Sequence, residues 1–336
     1  MKRFAPTHRP TIADVATLAG VSKTTVSHVL TGNRPVATST KHRVDDAIRK
    51  LGYRPDGVAR SMRTRRTHMI ALVIPDIANP YYPSLARGLE DGTNHDYRVF
   101  ICNTDGVPQQ EEAFLAEVGD RQADGIVIDS FMMSAHAIRD RVSPHVSVVR
   151  IGTTVIDDPG YDTVHADDES GGYDATKLLI DKGHRRIAMI QGPPGAGGKR
   201  NDGYTRALAD AGLPYLPELA MPSDWTRAGG ETAARRLLQL AEPPTAIFGG
   251  NDLMALGALA VAADVGRKVP DDLAIVGFDD IDAAVMVTPA LTTVSNPAYE
   301  TGLLAGTLLR ERMNRTGIET PRTVTVPCRL IERETA

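Results

Sequence analysis

Residues 11–30 read TIADVATLAGVSKTTVSHVL, two short apolar-periodic segments on either side of a glycine. In the first, Ile12, Val15, Ala16 and Ala19 fall at helical spacing and share one face. Thr11 followed by Asp14 makes a capping-box-like start, because each side chain can accept from an otherwise unpaired amide. Gly20 stands where the chain must turn sharply, and Val21 plugs the angle between the helices. Ser22 caps a second helix whose buried set is Val26, Val29 and Leu30. Its other face carries Lys23, Thr24, Thr25, Ser27 and His28, a donor-rich, mostly uncharged surface suited to base edges in a major groove. The pattern is a helix-turn-helix with the second helix as reader. The bland alternative is a helical hairpin inside some other core.

Charge separates the two readings. Met1–Arg66 holds 14 Lys plus Arg against 4 Asp plus Glu, a surplus of ten positive charges. The remainder holds 24 against 38, so the net charge of −4 conceals a basic head on an acidic body. That is the distribution of a polyanion-binding module joined to a self-contained domain.

At 336 residues and 42% hydrophobic, the chain can build a small module plus one large or two medium lobes. MKRFAPTHRP is positively charged with no apolar core behind it, so it does not read as a secretory signal. Apolar runs such as Met69–Ile74 are strand-sized, which excludes a membrane partner and points to the cytoplasm. Cys102 and Cys328 are far apart, each in a predicted strand, and read as core filler in a reducing compartment. No metal and no cofactor are expected.

A third helix is predicted over 39–51, with Val44, Ala47, Ile48 and Leu51 buried, Gly52 stopping it and Pro55 just beyond. DGVARSMRTRR (56–66) follows, with helix formers but little apolar surface. It reads as a charged linker in free solution, or as a hinge that folds only against DNA and offers Met62 as a minor-groove wedge. After Arg66 strands and helices alternate through two successive runs, predicting two doubly wound parallel-sheet lobes with a cleft between them. The expected division is a small all-α helix-turn-helix domain at 1–55, a hinge at 56–66 and an α/β core at 67–336. Within the core, the first lobe takes about 67–165 plus 295–318, and the second about 166–294 plus 319–336.

The order TIADVATLAGVSKTTVSHVLTGNRPV, KLGYRPDGVARSM, DIANPYY, ADGIVI, GHRRIAMI, GNDLMALGAL, IVGFDD and PALTTV resembles the LacI family of bacterial transcriptional regulators over nearly the whole chain. The resemblance implies a homodimer that sets two helix-turn-helix heads on a pseudo-palindromic operator in double-stranded DNA. It also implies a periplasmic-binding-protein-like core whose cleft takes a small effector, often a sugar or nucleobase, and whose lobe angle controls the hinge helices. By the family pattern Lys23, Thr24 and His28 face bases, while Ala59 and Met62 enter the minor groove, relatives more often carrying leucine in place of Met62. Tyr81 and Tyr82 match the effector-stacking place, with helix-start packing as the alternative. Arg200 opens RNDGY, matching the arginine that reaches a polar ligand group, and Trp225 matches a ring against the effector, core burial being the alternative. Asn251 and Asp279 follow strands at their carboxyl ends as effector-binding groups.

Two departures stand out. GPPGAGGK (192–199) lacks the polar side chains many relatives use there, and Arg150 stands where relatives often present an acid or polar group. Arg150 with Arg200 predicts a carbohydrate-derived effector bearing a carboxylate or phosphate, such as a sugar acid, unless Arg150 faces the dimer surface.

An enzyme is the competing class. GPPGAGGKR follows a strand and precedes a helix, but Pro193 stands where a phosphate loop needs glycine, and Arg200 follows Lys199 in place of Ser or Thr. His165, Asp167 and Asp168 read as a strand end running into helix-capping acids, not a metal cluster. No catalytic order of Ser, His, Cys and Asp emerges. The expectation is an effector-controlled repressor and not an enzyme.

Overall fold

The computed structural model describes residues 10–31, 34–54, 66–119, 123–130, 133–152, 160–193, 197–316 and 320–336. The chain divides into two units, Met1–Thr67 and His68–Ala336.

In the first unit, α1 spans Ile12–Ala19, α2 Lys23–Thr31 and α3 Thr38–Leu51. Thr11 and Asp14 close a reciprocal capping box, and Gly20 ends α1 in the left-handed conformation at φ 63°. The Ser22 hydroxyl accepts from the Thr25 amide at 3.0 Å and starts α2. Val15, Ala16, Ala19, Val26, Val44 and Ala47 form the core, with Val21, Val29 and Leu30 packed against it. So small a core holds because each helix contributes one apolar face. Ala59 and Met62 lie outside the described residues.

The second unit contains two six-stranded sheets. In lobe 1, β1 (Met69–Ile74), β2 (Arg98–Asn103), β3 (Gly125–Asp129), β4 (Ser147–Ile151) and β5 (Asp162–Ala166) run parallel in the order 5-4-3-1-2. Lobe 2 repeats the scheme with β6 (Ile187–Gln191), β7 (Ala220–Pro222), β8 (Ala246–Gly249), β9 (Ala274–Asp279) and β10 (Thr292–Ser295), in the order 10-9-8-6-7. Apolar clusters cover both faces of each sheet, as parallel sheets require. Among the described residues, no helix is long and apolar enough to cross a membrane.

The last strands are not divided as the sequence suggests. Residues 322–332 hold two strands, β11 (Thr323–Val326) and β12 (Arg329–Ile331). β11 pairs in parallel with β5 in lobe 1, so 319–336 does not belong wholly to lobe 2. β12 pairs antiparallel with β10 in lobe 2. The reason is electrostatic. The carboxylate of Asp162, on β5, is buried and accepts from the Arg322 amide at 2.8 Å, and from the guanidinium groups of both Arg322 and Arg312. A buried carboxylate needs such partners, and they fix the strand beside it. The chain therefore passes between the lobes three times, near Asp167, near Asn296 and between Val326 and Arg329.

Helix α4 (Tyr81–Gly92) packs on the long helix Ala298–Asn314 backbone to backbone. A Cβ on Gly88 would stand 2.0 Å from the Tyr299 carbonyl oxygen, and one on Gly302 2.0 Å from that of Leu85.

Candidate functional site

In each sheet the strand order reverses between the first strand and its neighbour, so the following loops leave in opposite directions and open a crevice at the carboxyl ends. In lobe 1 these are the loops after β1 and β3, and in lobe 2 those after β6 and β8. They enclose a cavity of about 550 Å³ whose lining includes Asp76, Tyr81, Tyr82, Asp129, Arg200, Trp225, Asn251, Asp279 and Asn296. The volume falls within the range of small-molecule sites, roughly 300–1,000 Å³.

From lobe 1, Tyr81 and Tyr82 meet edge to face at 5.3 Å between centroids. Tyr82 is buried and its hydroxyl donates to Asp129 Oδ2 at 2.9 Å. Burial pushes the Asp129 carboxyl up to about 7, Asp168 and Glu111 adding to it and the Tyr82 bond opposing it. Sequence reasoning missed Asp129. The available signal was an acid at the end of the wholly buried strand GIVID.

From lobe 2, Arg200 is held on several sides. Its Nε donates to Asp168 at 2.9 Å, Nη1 to the Gly250 carbonyl at 2.6 Å, and Nη2 stands 3.4 Å from Asp279. Its guanidinium lies 3.8 Å above the Phe278 ring centroid. Asp279 also accepts from Asn296 Nδ2 at 3.0 Å, and its own burial pushes its carboxyl up to about 6 against the pull of Arg200. Its backbone is left-handed at φ 108°, as is that of Asp280 at 56° and Trp225 at 67°. Asp105, at φ 51°, is left-handed too, so Asp105, Trp225 and Asp279 line the cavity, and Asp280 adjoins it, in the kind of strain that surrounding structure must over-determine.

Trp225 accounts for two glycines of the loop after β6. A Cβ on Gly192 would come within 2.0 Å of the indole, and one on Gly197 within 2.6 Å. At these two positions the indole takes the space that a side chain would need. Its Nε1 is buried without a hydrogen-bond partner, and so is Asn296 Oδ1. Both atoms belong to cavity-lining residues, one a donor and one an acceptor. Asn251 lines the cavity too, yet its amide is engaged at both ends: Oδ1 accepts from Met254 N at 2.9 Å and Nδ2 donates to the Trp225 carbonyl at 2.9 Å. It caps the next helix and fixes the tryptophan.

Arg150 is not part of this cavity. It is buried with Val148 on the opposite sheet face from Val149 and Ile151, and its Nη2 donates to the Met133 carbonyl at 3.2 Å. Side chains alternate along a strand, so Arg150 shares a face with Val148 and points away from that of Val149 and its β3 partner Val127. Among the described residues, Arg150 and Arg200 do not meet in this cavity. Among the described residues lining the cavity, six are aspartates (Asp76, Asp105, Asp129, Asp168, Asp224, Asp279) and one, Arg200, is a permanent cation.

In the first unit, Lys23 and Thr24 are exposed at the start of α2, while Thr25, Ser27 and His28 are half-buried. The Thr25 hydroxyl is tied to that of Ser22 at 2.9 Å, so it serves the turn. Lys23 and Thr24 present the open part of the face.

Residues 11–56 match the family model of bacterial regulatory proteins, lacI family, and residues 176–336 that of a periplasmic binding protein-like domain. Catabolite control protein A of Priestia megaterium is 38% identical over 313 residues, covering 92% of this chain and 94% of that protein. The chain belongs to the LacI family. The HTH-type transcriptional repressor CytR of Escherichia coli K12 is 36% identical over 308 residues, covering 90% of this chain and 89% of the relative. Among solved structures, the complex of the regulator CelR with cellobiose superposes with a TM-score of 0.73 at 32% identity, covering 98% of this chain and all of that one. As a LacI-family member the chain is a DNA-binding transcriptional regulator with an effector-binding core.

Proposed function

We propose that this regulator acts in the cytoplasm as a homodimeric repressor, and that a neutral, hydroxyl-rich small molecule in the 550 Å³ cavity sets its affinity for a pseudo-palindromic operator. The observation that carries the ligand class is the acidic lining around one arginine already held by Asp168, Asp279 and the Gly250 carbonyl. Carboxylates accept from sugar or nucleoside hydroxyls, and Trp225 and Tyr81 offer ring faces to an apolar sugar or base surface. A carboxylate or phosphate on the ligand would meet Asp129 and Asp279, and among the described lining residues the one permanent cation, Arg200, is already paired with acids, which favours a neutral ligand over a sugar acid. CelR, whose structure holds cellobiose, supports a neutral carbohydrate.

Lys23, Thr24 and His28 read bases, and Lys and Arg of the basic unit supply phosphate contacts and hence a steep salt dependence. Ala59 and Met62 are proposed to enter the operator centre. Dimerisation would cover exposed apolar side chains such as Ile77 and Tyr299 in lobe 1 and Val285 and Met286 in lobe 2. Coupling is a linkage: a ligand that binds better to the DNA-incompetent lobe arrangement lowers operator affinity by the factor by which operator lowers its own.

The test is a binding titration of the purified protein against the DNA upstream of its own gene, at two salt concentrations, with a scrambled control. Cellobiose, ribose, cytidine, gluconate and glucose 6-phosphate are added in turn. Selective binding altered by a neutral compound supports the reading. A response confined to the two anions overturns the ligand class, and equal affinity for the scrambled fragment overturns the reader assignment.

A further inference from the structure

The loop after β9 holds the two consecutive left-handed residues Asp279 and Asp280, so something must hold it. From below, buried Asp252 accepts from the Ile281 amide at 2.8 Å. From outside, the segment 333–336 is laced along the loop and its strands. Arg333 Nη2 donates to Asp280 Oδ1 at 2.6 Å, its Nη1 to the Leu291 carbonyl at 2.9 Å, and its amide to the Thr292 hydroxyl at 2.9 Å. Glu334 exchanges bonds with Ala290, its amide donating at 2.9 Å and its carboxylate accepting at 2.8 Å. Thr335, fully buried, accepts from the Thr292 amide at 2.8 Å and donates to the Ile275 carbonyl at 2.7 Å. These bonds grip both ends of the excursion from Asp279 to Leu291.

We propose that segment Arg333–Ala336 is a strap that locks this strained turn, and that Arg333, acting through Asp280, is the positioning residue that aims the Asp279 carboxylate into the effector cavity. This rests on the reading of Asp279 as an effector contact. Arg333 and Asp280 are 17% and 25% exposed, enough shielding for the pair to fix a geometry where a fully solvated one would not. Asp279 itself meets Arg200 and Asn296, with Asp168 and Asp252 as the other charged groups nearby. The strap touches none of these, so its influence passes through the backbone of the turn.

The experiment compares full-length wild type with Arg333→Met, Arg333→Lys and Asp280→Asn. Asp162→Asn in lobe 1 is the control for loss of stability alone. Crystal structures of wild type and Arg333→Met, without ligand, are expected to show the Asp279 carboxylate turned away from Arg200 and Asn296 in the variant. An unchanged turn overturns the proposal. Where Arg333→Met fails to fold, Asp280→Asn supplies the same comparison. In titrations with cellobiose, ribose and cytidine followed by Trp225 fluorescence, Arg333→Met and Asp280→Asn should bind about tenfold more weakly, as coupled neighbours do. Arg333→Lys should recover most of that loss, and Asp162→Asn should show none. Equal weakening in Arg333→Lys and Arg333→Met reduces the strap to a structural role. If none of the three compounds binds wild type, the ligand class fails, while the crystal comparison still decides the strap.

Discussion

The hydroxyl of Tyr82 and the carboxylate of Asp129 meet at 2.9 Å across 47 residues of sequence, the phenol donating into a buried acid. Asp129 titrates in the folded protein at about 7, well above its ordinary 3.8, because burial disfavours its charge. A raised carboxyl contributes stability that is complete below about 3.8 and is lost as pH rises through about 7. Asp129→Asn should therefore gain thermal stability over wild type at pH 8 and gain none near pH 4. At about 1.4 kcal/mol per pKa unit the gain is on the order of 2–4 kcal/mol. A scan of melting temperature against pH checks it; equal offsets at every pH would refute it.

The same ionisation controls binding. A hydroxyl-bearing effector donates best to ionised Asp129 and Asp279, which titrate near 7 and 6. Effector affinity should rise between about pH 5 and about pH 8 by roughly tenfold or more, and in Asp129→Asn the rise should shrink to the lower-pH part that Asp279 carries. Calorimetric titration with the compound that alters operator binding gives the answer.

Asp162 has the opposite sign. Against the cost of burial, bonds from Arg312 and Arg322 hold its carboxyl down at about 2. Its contribution is present above the ordinary 3.8 and lost as pH falls through about 2. Asp162→Ala should cost about 3 kcal/mol at neutral pH, with two arginines left facing an apolar side chain. Denaturant melts should show that deficit shrinking below about pH 3.

Gly192→Ser drives a side chain into the Trp225 indole, since a Cβ there stands 2.0 Å from the ring. The indole must leave its slot, shifting its fluorescence and abolishing the effector response. Operator affinity without effector should stay within about threefold of wild type, because the first unit is untouched.

Lys23→Ala removes an exposed donor from the start of α2. It should cost about 1–3 kcal/mol of operator binding and relax selectivity at the base it reads. Replacing a phosphate-binding lysine instead would weaken operator and scrambled DNA alike, so a titration against both fragments tells the two roles apart.

The helix-turn-helix was legible because its signals are local: a capping box, a left-handed glycine and apolar residues three and four apart. Alternation of strands and helices announced both lobes. β5, β7 and β10 were harder, being three to five residues long, and in β10 Thr292 and Thr293 are buried only because distant Thr335 and Asp252 satisfy them. Arg150 misled because the strand's alternation is written in the sequence, but which face looks toward the cleft is not. Asp129 escaped for the converse reason: nothing near GIVID reveals that a tyrosine from another helix will meet its carboxylate.

The triple passage of the backbone between the lobes limits what message this molecule can send. One linker would permit a wandering joint, and two a simple flap. Three tethers restrain sliding more than one or two would, and favour a change of tilt. An effector can therefore write one number into the body of this regulator, an angle.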